Sequence, residues 1–243
     1  MLRTNLEFTT LGKQVRSVMI TSAIEEEGKS TTIANLAVAL ARAGKRVILV
    51  DLDLRRPYLD KFFELRGRPG ITQVALGRAT LNDALVRVPI TPIEPSARLS
   101  PRYDTRPSQN GNGTTQGRLA VLGSGPIPPD PGEFVAAAVL TEILEELCEI
   151  ADIVLVDAPP LLHVGDAMVL SAKVDAAVLV AKMETIRRPM LTELHRLLQS
   201  APTLKLGFVV TGAEAEEGYG YGYGYGYEYH PRPSGRPETE RVR

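Results

Sequence analysis

Short apolar runs alternate with longer amphipathic segments along most of this 243-residue chain. The runs VRSVMITS, RVILVD, RLAVLG, IVLVDAPP, DAAVLVAK and LGFVV are rich in valine, isoleucine and leucine and too short for ordinary helices. Runs of this kind mark strands buried on both faces of a parallel sheet. Between them, KSTTIANLAVALARAG, PGEFVAAAVLTEILEELCEI, GDAMVLSAKV and RRPMLTELHRLLQS carry apolar residues at helical spacing, the first ending on Gly44 and the second opening on Pro131. Glycine after a helix and proline at its first turn are boundary signals. The alternation predicts an α/β fold with a mostly parallel central sheet flanked by helices on both faces.

Two stretches break the rhythm. Residues 91–117, TPIEPSARLSPRYDTRPSQNGNGTTQG, have too few apolar side chains to offset the entropy of ordering them, so a disordered insertion is expected there. Residues 212–243, where GYGYGYGYEYH gives way to a proline- and arginine-rich end, read as a flexible tail behind a domain spanning 1–211.

Composition narrows the function classes. A hydrophobic content of 44% suits one large domain, and 28 basic against 29 acidic residues leave no global field to draw nucleic acid or an anionic membrane. Cys148 is the sole cysteine, which excludes an intrachain disulfide and fits a reducing compartment; its apolar surroundings predict a small buried hydrophobe. The chain has no leader pattern and no apolar run near the ~18 residues of a membrane span, so a cytoplasmic protein is expected. His163, His195 and His230 form no pair at metal-ligand spacing and are expected on surfaces.

Chemistry concentrates at three strand ends. The first strand runs into SAIEEEGKSTT and then a helix, the context of a phosphate-binding P-loop. In such a loop Gly28 allows close backbone approach, Lys29 reaches the β- and γ-phosphates, and the Ser30 hydroxyl meets Mg²⁺. The strict pattern would place glycine at Ala23, and Glu25, Glu26 and Glu27 stand beside a site for a polyanion, with side chains expected to face solvent. The nucleotide contacts expected are Ala23, Glu26, Glu27, Gly28, Lys29, Ser30, Thr31 and Arg55. Read alone, EEEGKS has a less favoured alternative as the solvated first turn of a helix.

VILVDLDLRRP ends a second strand with Asp51 and Asp53, followed by Arg55 and Arg56; IVLVDAPP ends a third with Asp157. Carboxylates at the carboxyl ends of strands lie where open α/β sheets bind ligands, although any single one can merely cap a turn. Ser30, Asp51, Asp53 and Asp157 are the expected metal set. Lys29, Asp51 and Asp53 are the expected catalytic residues, one aspartate polarising an incoming hydroxyl while the other supports Mg²⁺. Downstream, Tyr219, Tyr221, Tyr223, Tyr225, Tyr227 and Tyr229 recur at every second position. A glycine-spaced segment suits a substrate that must reach an active site, and each phosphate would add roughly −1.5 to −2 charges, working against tight assembly. A low-complexity segment that only self-associates is the bland alternative.

These motifs together resemble the bacterial protein-tyrosine kinases of capsule and exopolysaccharide production: SAIEEEGKST is similar to their Walker A, ILVDLDLRRP to their Walker A′, IVLVDAPPLL to their Walker B, with PPDPGEF and a terminal tyrosine cluster completing the set. The resemblance implies the MinD/ParA fold, ATP and Mg²⁺ as cofactors, and autophosphorylation of the tail tyrosines in trans within a ring-like homo-oligomer. It also implies a membrane activator, fused or separate, that holds the kinase at the inner face of the membrane. Asp51 matches the residue that activates the tyrosine hydroxyl, Asp53 the second A′ aspartate and Asp157 the Walker B residue. The chain departs from the family in having Glu25 and Glu26 where proline and glycine are usual, and Thr211 where asparagine is usual. Two alternatives share the phosphate chemistry: a ParA/MinD-type ATPase switch, which carries a lysine where Ile24 stands, and a nucleotide-binding scaffold without turnover.

Overall fold

Six parallel strands with one antiparallel addition form a seven-stranded sheet in the computed structural model, ordered β3-β4-β2-β5-β1-β6-β7. The structure describes residues 2–90 and 117–213. The expected insertion, Gly117 apart, and the tail tyrosines Tyr219 to Tyr229 lie outside the described residues. The strands are β1 (Ser17–Ser22), β2 (Arg46–Asp51), β3 (Leu85–Val88), β4 (Arg118–Leu122), β5 (Ile153–Asp157), β6 (Ala176–Lys182) and β7 (Leu204–Thr211). All six strands read from the sequence are present. The added β3, formed by LVRV, pairs antiparallel with β4 at the sheet edge.

Alternation along the strands divides the core. Val18, Ile20, Leu49 and Leu155 pack with Ile33, Leu36 and Leu40 of helix α2 (Lys29–Arg42), near the N-terminal helix α1 (Leu2–Thr9). On the opposite face Met19, Val50 and Val156 meet Leu140, Leu144 and Leu147. The short helices α3 (Asp60–Phe63), α4 (Ile71–Ala75) and α5 (Leu81–Ala84) follow β2. The second face is covered chiefly by α7 (Ala138–Ile150), preceded by α6 (Pro131–Ala136). The remaining helices, α8 (Asp166–Ser171) and α9 (Arg188–Ser200), pack Ala167 and Leu194 against Leu179 and Leu161. Helices therefore cover both faces, as the α/β reading requires. Cys148 is half-buried beside the second-face core. No helix among the described residues is long and apolar enough to cross a membrane.

One expected helix is divided. The segment opening on Pro131 begins as its sequence dictates, with the Asp130 carboxylate accepting from the Glu133 N–H at 3.0 Å, but it breaks at Ala137, whose ψ of 144° is extended. The break carries no local glycine or proline signal. A distant residue satisfies it: Lys173 Nζ donates to the Ala137 carbonyl at 3.1 Å and to Thr141 Oγ1 at 2.7 Å.

The parallel register sets the functional edge. Ile20 and Asp51 are both paired with Asp157, so the ends of β1, β2 and β5 lie side by side at one carboxyl edge. Leu49, 0% exposed on β2 and paired with Leu155 of β5, tests the packing beneath it. Leu49→Ala is expected to lower the unfolding free energy by about 2–5 kcal/mol, measured by urea denaturation.

Candidate active site

Between Ser22 and α2 the chain makes a loop whose shape is imposed from several directions. Gly28 caps α2 in the left-handed region at φ 86°, and a Cβ there would approach Thr211 Cγ2 at 3.6 Å, so β7 ends directly behind the loop. Glu26 is also left-handed, at φ 62°, a conformation that costs a non-glycine residue roughly 1–2 kcal/mol. This is a position at which the resemblance noted above implies glycine.

The three glutamates have different fates, and the expectation that all face solvent is corrected. Glu26 is exposed. Glu25 pairs with Arg56 Nη1 and lies 3.5 Å from His163 Nδ1. Glu27 is turned inward and only 1% exposed. Its Oε2 accepts from the Ile24 N–H at 2.8 Å and its Oε1 from the Lys182 N–H at 3.2 Å, while its carbonyl accepts from the Thr211 hydroxyl at 2.8 Å. The Glu27 side chain thus braces the loop against the ends of β6 and β7. Ala23 is likewise a packing residue: its methyl is buried with Leu161, Ala167, Leu179 and Leu194, and its carbonyl accepts from the Leu162 N–H at 3.1 Å.

Lys29 opens α2 and joins the three strand ends. Its ammonium lies 2.5 Å from Asp157 Oδ1, 3.3 Å from Asp53 Oδ2 and 3.3 Å from Ser30 Oγ, almost wholly shielded from water. Burial alone pulls the Lys29 pKa down, but Asp157 and Asp53 outweigh it and the net shift is upward, so the charge is kept. Asp157 is pushed up by burial, against the opposing pull of Lys29. Asp51 is pushed up to about 8, first by burial and then by the Asp157 carboxylate.

Asp51 is oriented differently from its neighbours. Its Oδ1 accepts from the Asp53 N–H at 3.3 Å and its Oδ2 from the Tyr58 and Leu59 N–H groups at 3.2 and 3.1 Å, fixing the loop after β2. The expected set of three converging metal carboxylates is therefore not formed: among the described residues no group of three His, Cys, Asp or Glu is arranged to hold a metal ion. What fits a divalent cation is smaller. Asp157 Oδ2 is buried without a hydrogen-bond partner, close to Ser30 and in a pocket where carboxylates outnumber the single ammonium. Mg²⁺ commonly needs just one or two carboxylates besides waters and phosphate oxygens.

A cavity of about 570 Å³ opens over Lys29, lined also by Ser22, Glu26, Gly28, Ser30 and Thr31 from the loop and by Asp53, Arg56, Tyr58, Lys61 and Pro160 across from it. Arg56, not the expected Arg55, faces this space. Arg55 instead clamps Asp166 at the start of α8, at 2.7 and 3.2 Å. Adjacent arginines on an irregular loop have no periodicity to tell them apart. Tyr58 and Lys61, with the ammonium 4.0 Å from the ring centroid, were also missed; their three-residue spacing leading into α3 was the available signal.

Two outcomes follow from this geometry. Glu27→Ala strands two backbone donors, so stability is expected to fall by about 1–3 kcal/mol, read by urea unfolding, with weaker binding of a fluorescent nucleotide. For Asp51, a carboxyl whose folded pKa is raised from 3.8 to about 8 contributes stability that is complete below the lower value and lost as pH rises through the upper one. With EDTA present, the urea midpoint of the wild type is expected to decline between pH 5 and pH 9, roughly the interval of that shift, and the decline to flatten in Asp51→Asn.

Comparison with known proteins gives this geometry its context. Residues 18–211 match the CobQ/CobB/MinD/ParA nucleotide binding domain. The chain is 35% identical over 222 residues to the tyrosine-protein kinase YwqD of Bacillus subtilis, covering 90% of this chain and 83% of that protein. It is 29% identical over 210 residues to the tyrosine-protein kinase CpsD of Streptococcus agalactiae, covering 86% of this chain and 80% of that one. The solved kinase domain of the Escherichia coli tyrosine kinase ETK superposes with a TM-score of 0.70 at 26% identity, covering 90% of this chain and 78% of the other. With a P-loop lysine held between the aspartates of two neighbouring strands, the chain belongs to the bacterial tyrosine-protein kinases of the CobQ/CobB/MinD/ParA nucleotide-binding family.

Proposed function

We propose that this protein transfers the γ-phosphoryl group of ATP to the tyrosines of its own C-terminal tail, Tyr219, Tyr221, Tyr223, Tyr225, Tyr227 and Tyr229, acting in trans within a ring-like homo-oligomer, and so regulates capsular or exopolysaccharide synthesis. The observation that carries the reading is Lys29 joining Asp53 and Asp157 beneath the P-loop cavity in a chain 35% identical to a tyrosine-protein kinase. Loop N–H groups and the amino end of α2 receive the phosphates, and Lys29 takes the β- and γ-oxygens in exchange for its carboxylate partners. Ser30 and Asp157 would hold Mg²⁺, which would supply neutralisation of the charge that builds on the phosphates. The tyrosine oxygen forms its bond to the γ-phosphorus as the bond to the β–γ bridging oxygen breaks. ADP departs with that electron pair, and the phenolic proton passes to an A′ carboxylate, assigned to Asp51.

Arg56 occupies the cavity wall where charge develops, and its ion pair with Glu25 holds it in place. A membrane activator, fused or separate, completes the assembly at the inner face of the membrane. A ParA/MinD-type switch is less favoured, because Ile24 stands where that class carries its additional lysine and because the named relatives are kinases. Incubation of the full chain with ATP, Mg²⁺ and a cytoplasmic segment of such an activator is expected to place phosphate on the tail tyrosines, read by mass spectrometry. Lys29→Met and Asp157→Asn are expected to lose at least about 100-fold in rate. Unmodified tyrosines in a wild-type chain shown to bind ATP would overturn the kinase reading.

A further inference from the structure

The amino edge of the sheet, at the opposite end of the strands from the phosphate site, carries a charge cluster that the kinase chemistry does not use. Arg46 opens β2 and Arg118 opens β4, and the parallel register pairs them directly. Arg87 of the edge strand β3 pairs with Ala120, two residues along β4 from Arg118. Side chains two apart on a strand share a face, so all three arginines project to the side of the sheet that α7 covers, where Ile48, Leu85 and Ala120 pack.

These neighbours repel one another, and only one of them is compensated. Asp152 Oδ1 holds Arg46, accepting from Nε at 3.0 Å and Nη2 at 2.6 Å, while Nη1 donates to the Ile150 carbonyl at 3.2 Å. Arg87 and Arg118 are exposed and have no ion pair among the described residues. All three arginines border one cleft of about 430 Å³, which no carboxylate lines among the described residues. Ile48, Leu85, Ala120 and the half-exposed Ile150 give it an apolar wall. Like charges at adjacent positions of a sheet cost stability, so the arrangement fits an anion that bridges the arginines.

A matching ligand joins negative charge to an apolar body. Under the proposed function the tail becomes such a ligand, because each phosphotyrosine couples an aromatic ring to a phosphate of roughly −1.5 to −2 charges. Guanidinium groups take phosphate oxygens through paired N–H donors while the wall takes the ring; an unmodified tyrosine gives the arginines no charge to hold. Lipid headgroups at a membrane surface would supply the charge but leave the wall unfilled. The tail follows β7, five strand spacings from β4, or roughly 24 Å at ~4.8 Å each, and leaves it at the carboxyl edge. A second copy's tail meets no such detour. We propose that this cleft is a phosphotyrosine-binding site, in which Arg87 and Arg118, flanked by Arg46, hold the phosphorylated tail of a second copy. The proposal rests on the kinase reading, and it gives the modification a contact between copies at the amino edge in addition to the repulsion that it brings.

Binding of a synthetic peptide tests it. A fluorescent peptide of residues 214–230, phosphorylated at Tyr223 and Tyr225, is titrated with the full chain in which the tail tyrosines are changed to phenylalanine. The phosphopeptide is expected to bind at least about tenfold more tightly than its unphosphorylated form, with an affinity that falls as salt rises and is unchanged by ADP and Mg²⁺. Arg87→Glu/Arg118→Glu is expected to abolish that preference while leaving nucleotide binding and the urea midpoint unchanged. Arg87→Lys/Arg118→Lys, which keeps the charge and loses the forked donors, is expected to weaken the phosphopeptide about three- to tenfold. Equal affinity for the two peptides, displacement by the nucleotide, or binding indifferent to both double variants would each overturn the site. So would Arg87- and Arg118-dependent binding to anionic phospholipid vesicles with none to the phosphopeptide. Because the peptide is made chemically, the two readings fail separately. Tail phosphorylation by a wild-type chain that does not bind the phosphopeptide removes the cleft and spares the kinase. Phosphopeptide binding by a chain that phosphorylates no tyrosine does the reverse.

Discussion

One ammonium among strand-end carboxylates is the constraint around which the rest of this molecule is arranged. Asp157 is fully buried, and a carboxylate so placed is tolerable only with a partner. Lys29 supplies it at 2.5 Å, and can do so because α2 begins where the P-loop ends. The loop's position thus follows from an electrostatic need at the end of β5 as well as from chain connectivity. A buried pair of this kind is weak evidence of net stability, since desolvating both ions offsets much of their attraction. Under the proposed function its value is exchangeability, because a polyphosphate would offer the lysine an equivalent set of oxygens, and a cation would offer the aspartate an equivalent charge.

The surrounding structure keeps competing charges out of that exchange. Three consecutive glutamates would repel a nucleotide if all of them faced it. Arg56 neutralises one, backbone donors from β6 and the loop itself hold another in the interior, and the third lies open to water. The Arg55–Asp166 clamp has a complementary effect on the next loop, anchoring the segment after β2 to α8 so that its neighbour Arg56 is left to face the cavity.

The fold was legible in the sequence to the extent that its elements are governed by local pattern. Strands buried on both faces write themselves as valine- and isoleucine-rich runs, and all six were read. β3 was not, because LVRV is short, half-buried and defined by its antiparallel partner. The division at Ala137 was invisible for a similar reason: Lys173, far along the chain, donates to the carbonyl that the break releases. At the site, Lys29 and Ser30 at the start of α2 come together with Asp53 just beyond β2 and Asp157 at the end of β5. The inward turn of Glu27 and the clamp of Arg55 on Asp166 were not legible, because each depends on which way a side chain turns in an irregular loop, where neither a period of two nor of 3.6 applies.

Glu26 carries the same lesson to the recognition of such proteins by pattern. P-loops are ordinarily sought by their glycines, on the premise that the loop's own residues must permit its shape. Here a glutamate holds a left-handed turn, flanked by a neighbour pinned to Lys182 and Thr211. The adjoining residue is held from outside the motif, and the turn is made here without glycine. A glycine-based signature therefore passes over a loop whose shape is set by the strands on either side of it.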